Sequence, residues 1–224
     1  MRSRIIGGFT FCTIFYLAIV AGILFQLLLC IYLLIGLFEV LRMIEPSKNK
    51  LIPLVYALFF FICIHTLSSM QENYVGTIVY LTALIMMNDS LAFAFGMKYG
   101  KTKFSKVSPK KSVEGLIGGL IFAPFSAVLI LEFVKLLNLP QILIFNAPLV
   151  DNYWPFGNFI HLYIFSIIIC VFAVLGDLFE SYLKRNANTK DSGSIVFGHG
   201  GILDRLDSWV FAIPIAYLLI TYIF

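Results

Sequence analysis

Asp177, Glu180, Ser181 and Lys184 recur at i, i+3, i+4 and i+7, the spacing that lines side chains along one face of a helix. Asp204 and Asp207 form a second i, i+3 pair just after Gly200-Gly201 on what reads as a separate short helix, and Lys184, Arg185, Lys190 and Arg205 accompany the two sets. Carboxylates on separate elements suit a hard divalent cation, which takes one or two of them plus phosphate oxygens from a substrate. The basic residues would neutralise phosphates and the charge that develops during transfer. His199 sits among Gly193, Gly198, Gly200 and Gly201. A charged linker at a membrane edge would explain neither Asp177 at a helix end nor that glycine cluster.

A second polar cluster lies nearer the middle of the chain. Asn88 and Asp89 stand inside an apolar run, and Gly96, Gly100-Lys101, Ser108-Pro-Lys110-Lys111, Glu114-Gly115 and Gly118-Gly119 follow. An unpaired carboxylate at a membrane helix centre costs roughly 2.5 to 3.5 kcal/mol, so Asp89 is expected to have a partner. The basic, Gly- and Ser-rich loop suits phosphate contact as well as it suits attraction to anionic lipid heads.

The elements that must position these groups are membrane helices. Of 224 residues, 60% are hydrophobic and 12% charged, with a mean hydropathy of +0.95, far from the composition of a soluble domain. Long continuous apolar runs exclude the alternating pattern of a membrane β-barrel. Runs at 51–68, 75–97, 116–137, 158–179 and 208–224 match the roughly 20 residues a spanning helix needs. The run 5–41 has room for two short spans turning near Gly22 and is too long for a signal peptide. With that hairpin, every Lys and Arg except Lys135 falls in segments 1–4, 42–50, 98–114 and 180–207, while segments 71–74 and 138–156 have none. The positive-inside rule then puts the N-terminus and both polar clusters at the cytoplasmic face. The expectation is an all-α polytopic bundle of about seven transmembrane helices with its polar site on that face. Cys12, Cys30, Cys63 and Cys170, all in apolar runs, read as small buried or lipid-facing hydrophobes, and His65 and His161 as packing or interface residues. Segment 138–156, with Trp154 and three prolines, reads as an interfacial stretch.

The stretch Ser181-Tyr-Leu-Lys-Arg185, Lys190-Asp-Ser-Gly193 and His199-Gly-Gly-Ile-Leu-Asp-Arg-Leu-Asp207 resembles the C-terminal signature of the phosphatidate cytidylyltransferases, or CDP-diglyceride synthases. Val196 and Phe197 depart from it without removing a functional group. The cluster from Asn88 to Gly119 is similar to that family's second shared region, so the resemblance covers about 88–208. It implies one integral membrane domain over 1–224, with N-terminal helices at 5–87, a catalytic region at 88–208 and a C-terminal helix at 208–224. It further implies the reaction of CTP with phosphatidate to give CDP-diacylglycerol and pyrophosphate, with magnesium and with potassium as a further candidate ion.

By resemblance, Asp177 and Asp204 match the metal-binding acids. Ser181, Lys184, Arg185, Lys190, His199 and Arg205 fall where phosphate contacts are expected. Lys184 and Arg185 are assigned to the lipid phosphate, Lys190 and Arg205 to the triphosphate, and His199 to hydrogen-bond donation. Asn88, Asp89, Lys110, Lys111, Glu180, Asp191, Gly200, Gly201 and Asp207 are read as supporting residues, with Asp191 and Asp207 orienting the bases. The implied partners are the two substrates, the bilayer of a bacterial-type cell membrane and a second copy in a homodimer, with no nucleic acid. The alternatives are a CTP-dependent enzyme acting on another lipid, such as a CDP-archaeol-type synthase or a dolichol or phytol kinase, and a transporter. A transporter would line the midplane with ionisable groups, whereas here they gather at one interface.

Overall fold

The computed structural model describes residues 23–44, 49–73, 75–105, 108, 111–136, 159–189, 191–193 and 200–223. Among them stand six helices: α1 (Ile23–Ile44), α2 (Leu51–Asn73), α3 (Val75–Tyr99), α4 (Val113–Leu136), α5 (Phe159–Asn186) and α6 (Leu203–Tyr222). Four are long and apolar enough to cross a membrane, at Leu24–Met43, Leu51–Met70, Thr77–Tyr99 and Ile160–Asn186, and α4 carries the shorter apolar stretch Val113–Leu129. The expected hairpin near Gly22 and the interfacial segment 138–156 lie outside the described residues.

Helix ends follow local chemistry. Asn49 Oδ1 accepts the Leu51 N–H at 3.0 Å and opens α2, whose Pro53 sits in the first turn where no N–H is missed. Ser112 Oγ accepts the Gly115 N–H at 3.1 Å and opens α4. Two expected boundaries move. The run placed at 158–179 continues to Asn186, because nothing interrupts the polar stripe before Asn188 adopts a left-handed φ of 55°. The last helix begins at Leu203 rather than 208, so Asp204 and Asp207 lie on α6 itself and not on a separate short helix.

α3 packs most extensively on α4 and α5 on α6, while α2 lies against both α1 and α6. Lipid tails are as apolar as leucine, so such contacts rest on close packing and on polar groups between helices rather than on release of water. At the α3–α4 contact Gly115 passes the backbone of Ala92 and Gly96, and a Cβ there would lie 3.1 Å from Gly96 Cα. Ser68 Oγ donates to Gln26 Oε1 at 2.6 Å between α2 and α1, and Tyr80 and Ser166 join α3 to α5 at 2.5 Å. Tyr56 stacks on Phe179 at 5.8 Å, and Phe179 meets Phe211 edge-on at 5.5 Å. These rings form an aromatic floor from α2, α5 and α6 beneath the polar end of the bundle. On α1, Leu24, Leu27, Ile31, Leu34, Phe38 and Leu41 form an exposed apolar seam, opposite buried Phe25, Leu29 and Tyr32.

Candidate active site

The turn between α3 and α4 is a small hydrogen-bonded unit. Lys103 and Ser112 pair across it, Phe104 N donates to Lys111 O at 2.9 Å, and Val113 N donates to Thr102 O at 3.0 Å. Glu114 closes it by accepting the Lys101 and Thr102 N–H groups at 3.1 Å each. The result aims Lys111 across to α5, where its ammonium pairs with Asp177 Oδ2. Burial pushes that ammonium below the ordinary lysine range, against the pull of Asp89 and Asp207.

The expected stripe on α5 is present. Ser181 Oγ lies 3.4 Å from Asp177 Oδ1, and one turn on Lys184 Nζ donates to Glu180 Oε2 at 2.8 Å. The same ammonium reaches α6 and donates to Asp204 Oδ1 at 2.6 Å. Gly176, the residue before Asp177, allows the α6 backbone to approach, since a Cβ there would collide with the Asp207 carbonyl. Asp207 thereby comes beside Asp89, whose Oδ2 stands 3.5 Å from Ser208 Oγ.

Asp204 is the most heavily engaged carboxylate of the group. Its Oδ2 accepts from Gly201 N at 2.8 Å and from Ser192 N and Ser192 Oγ at 2.9 Å each. Burial opposes its charge, yet the Lys184 and backbone hydrogen bonds outweigh that cost and hold its pKa below the usual carboxylate range. Gly200 makes the preceding turn with φ +85°, a conformation that side chains disfavour.

Asp89, Lys111, Asp177, Glu180, Lys184, Asp204 and Asp207 therefore form one electrostatic cluster at one end of the bundle. Asn88 is buried against Gly119, and neither of its amide atoms has a partner among the described residues. Arg185 and Asp191 are exposed at the rim, and Arg205 is half-buried. Lys110, Lys190 and His199 lie outside the described residues. Two further residues organise the site: Ser192, which lies in the signature without an assigned role, and Glu39 of α1, which sequence reasoning misses and whose carboxylate accepts the Ile202 and Leu203 N–H groups at 3.0 Å each. The one signal for Glu39 is an acid at the end of a long apolar run.

Asp177 and Asp204 pair with different lysines, Lys111 and Lys184, and among the described residues no three His, Cys, Asp or Glu side chains converge as a ready metal cage. The set nevertheless fits a hard divalent ion that takes few protein ligands. Five carboxylates face Lys111 and Lys184, and Glu180 Oε1 is buried with no partner among the described residues. Beside them opens a cavity of about 730 Å³. Asp89, Lys111 and Asp177 form its polar end, and Phe93, Met97, Phe104, Leu116 and Val174 its apolar walls.

The sequence profile of the cytidylyltransferase family matches residues 47–223. The phosphatidate cytidylyltransferase of Rickettsia prowazekii (strain Madrid E) is 33% identical over 232 residues, a match covering 98% of this chain and 92% of that protein. That of Rickettsia typhi (strain ATCC VR-144 / Wilmington) is 36% identical over 220 residues, covering 95% and 88%. That of Bacillus subtilis (strain 168) is 35% identical over 168 residues, covering 73% of this chain and 55% of that longer protein.

Proposed function

This chain belongs to the cytidylyltransferase family, and on that premise we propose that it joins CTP to phosphatidate, giving CDP-diacylglycerol and pyrophosphate. A phosphatidate oxygen attacks the α-phosphorus of CTP. The new P–O bond forms as the bond to the β-phosphate bridging oxygen breaks, and pyrophosphate carries that electron pair away. The attacking phosphate is an anion at neutral pH, so the protein supplies position and charge rather than a strong base.

The observation that carries this reading is the cavity, which is lined by apolar side chains together with Lys111, Asp177 and Asp89. Such a junction suits a lipid that carries phosphate at its head. Lys111 and Lys184 would each exchange a carboxylate partner for a phosphate oxygen, and Ser181 would donate from the same helix face. Arg185, Lys190, His199 and Arg205 would contact phosphates.

Asp177 and Asp204 are the residues that would hold magnesium, with Glu180 next to them. Bound there, it would neutralise the triphosphate and the leaving pyrophosphate. The fuller reading is of a multi-pass bilayer protein with about seven spans. Its N-terminus and site face the cytoplasm, and it assembles as a homodimer. The basic residues in the turns at the polar end support that orientation.

The test is pyrophosphate release by detergent-solubilised protein with CTP and magnesium, with and without phosphatidate, and with analysis of the lipid phase. Phosphatidate-dependent release with CDP-diacylglycerol formed is the expected result. Release of CDP when an isoprenoid alcohol is supplied, and none of pyrophosphate, would overturn the acceptor and the bond broken.

A further inference from the structure

We propose that Glu39 of α1 is a positioning residue for the reaction, holding the turn that presents Asp204 and, through it, Lys184. The argument rests on the reading above for its activity measurement only. Glu39 is 1% exposed, and both its oxygens are used: Oε1 accepts Ile202 N–H at 3.0 Å, while Oε2 accepts Leu203 N–H at 3.0 Å and contacts Ser192 Oγ at 2.9 Å. All three contacting groups lie more than 150 residues along the chain.

The same serine faces Asp204. A hydroxyl has one proton, and Ser192 Oγ stands 2.9 Å from Glu39 Oε2 and 2.9 Å from Asp204 Oδ2. The N–H groups that open α6 are divided between these two acids, Gly201 going to Asp204 and Ile202 and Leu203 to Glu39. An N-terminal turn with its amides taken in this way is not an open cradle for substrate phosphate. It is a fixed mount for the Asp204 carboxylate and the ammonium that Asp204 holds.

This arrangement also accounts for two of the glycines. A Cβ at Gly193 would fall 2.5 Å from Glu39 Oε1, and one at Gly201 would collide with both Glu39 oxygens and Ser192 Oγ. They are small because an acid from the N-terminal helix occupies the space beside them. Glu39 stands ahead of both polar clusters legible in the sequence, so α1 is part of the site rather than only an anchor.

The experiment compares Glu39→Gln and Glu39→Asp with the parent protein in detergent. It measures kcat and KM for CTP and phosphatidate, the thermal midpoint, and deuterium exchange of the peptide spanning 200–206. Glutamine keeps the shape but turns an NH₂ toward a backbone donor, so kcat should fall by about tenfold or more while both KM values stay within about twofold. Exchange at Ile202 and Leu203 should rise while peptides from α3 and α4 are unchanged. The aspartate variant, which keeps two acceptors on a shorter arm, should recover part of kcat. Parent-like turnover and exchange in Glu39→Gln would overturn the proposal. Collapse of the thermal midpoint in both variants would do so as well, since that is what a purely architectural carboxylate predicts. Exchange does not depend on the reaction, so faster exchange in a protein that makes no CDP-diacylglycerol would remove the functional reading and keep the assignment of Glu39.

Discussion

Lys184 Nζ lies 2.8 Å from Glu180 Oε2 on its own helix and 2.6 Å from Asp204 Oδ1 on α6, so a single ammonium ties the two helices together at the polar end. The Glu180 side chain is fully buried, and those of Lys184 and Asp204 are 13% and 12% exposed. Removing the cation leaves two acids facing each other without it. Lys184→Met should therefore abolish turnover and lower stability by about 3 kcal/mol, the cost of stranding a buried charge. Chemical unfolding in detergent measures it, and Lys184→Met combined with Glu180→Gln should regain part of the loss. An additive double variant would show that the two groups do not interact.

Asp177→Asn and Asp204→Asn should separate activity from folding. Both are expected to lose turnover. Asp204 takes four donor contacts, so its amide must turn NH₂ toward Lys184 or toward the Ser192 and Gly201 donors, at a cost of about 1 to 3 kcal/mol in stability. Asp177 faces Lys111 and a long Ser181 contact, so its variant should unfold near the parent midpoint. Equal midpoints for the two variants would contradict the difference in their hydrogen bonding.

Chelation supplies a test of the acid-rich cluster. Turnover should fall to background when divalent cations are removed with EDTA and return when magnesium is added back, with the helical content unchanged by circular dichroism. Full activity in excess chelator would rule out the metal role of Asp177 and Asp204.

Leu116→Trp places an indole ring where a leucine stands in the wall of the cavity. The KM for phosphatidate should rise by about tenfold while the KM for CTP stays within about twofold, because only lipid contacts are changed. An effect on CTP instead would move the nucleotide into this cavity.

Gly115→Ala tests how the Lys111 turn is held. The added methyl must push against the Ala92 carbonyl and Gly96 across the α3–α4 contact, so about 1 to 3 kcal/mol of stability should be lost. Turnover should fall with it, since Lys111 lies just before the first turn of α4. A parent-like midpoint would mean that the two helices separate without cost.

Much of this site is legible from spacing because its groups sit on regular helices. Asp177, Glu180, Ser181 and Lys184 share a face of α5 by period alone, and Asp204 and Asp207 do so on α6. What spacing cannot reach is contact between distant segments. The pairing of Lys111 with Asp177 depends on how a turn folds back on itself. Glu39 meets Leu203 from 164 residues away, with no local pattern in α1 to announce it. The helix ends moved for a related reason. Hydropathy registers where apolar residues stop, whereas a helix stops where its backbone donors and acceptors find other partners, as at Asn188 and Asp204.

α5 has 28 residues, which at 1.5 Å each makes a rod of about 42 Å, against a hydrocarbon layer of about 30 Å. Its stripe from Asp177 to Lys184 lies in the last third of that rod, so under the proposed function it would stand towards the headgroup side of the layer. A phospholipid diffusing sideways in its own leaflet would then meet the charged cluster near the level where its phosphate already travels, with its tails still among other tails. The encounter would become a search in two dimensions, and no work would be spent in lifting a lipid out of the sheet before the chemistry begins.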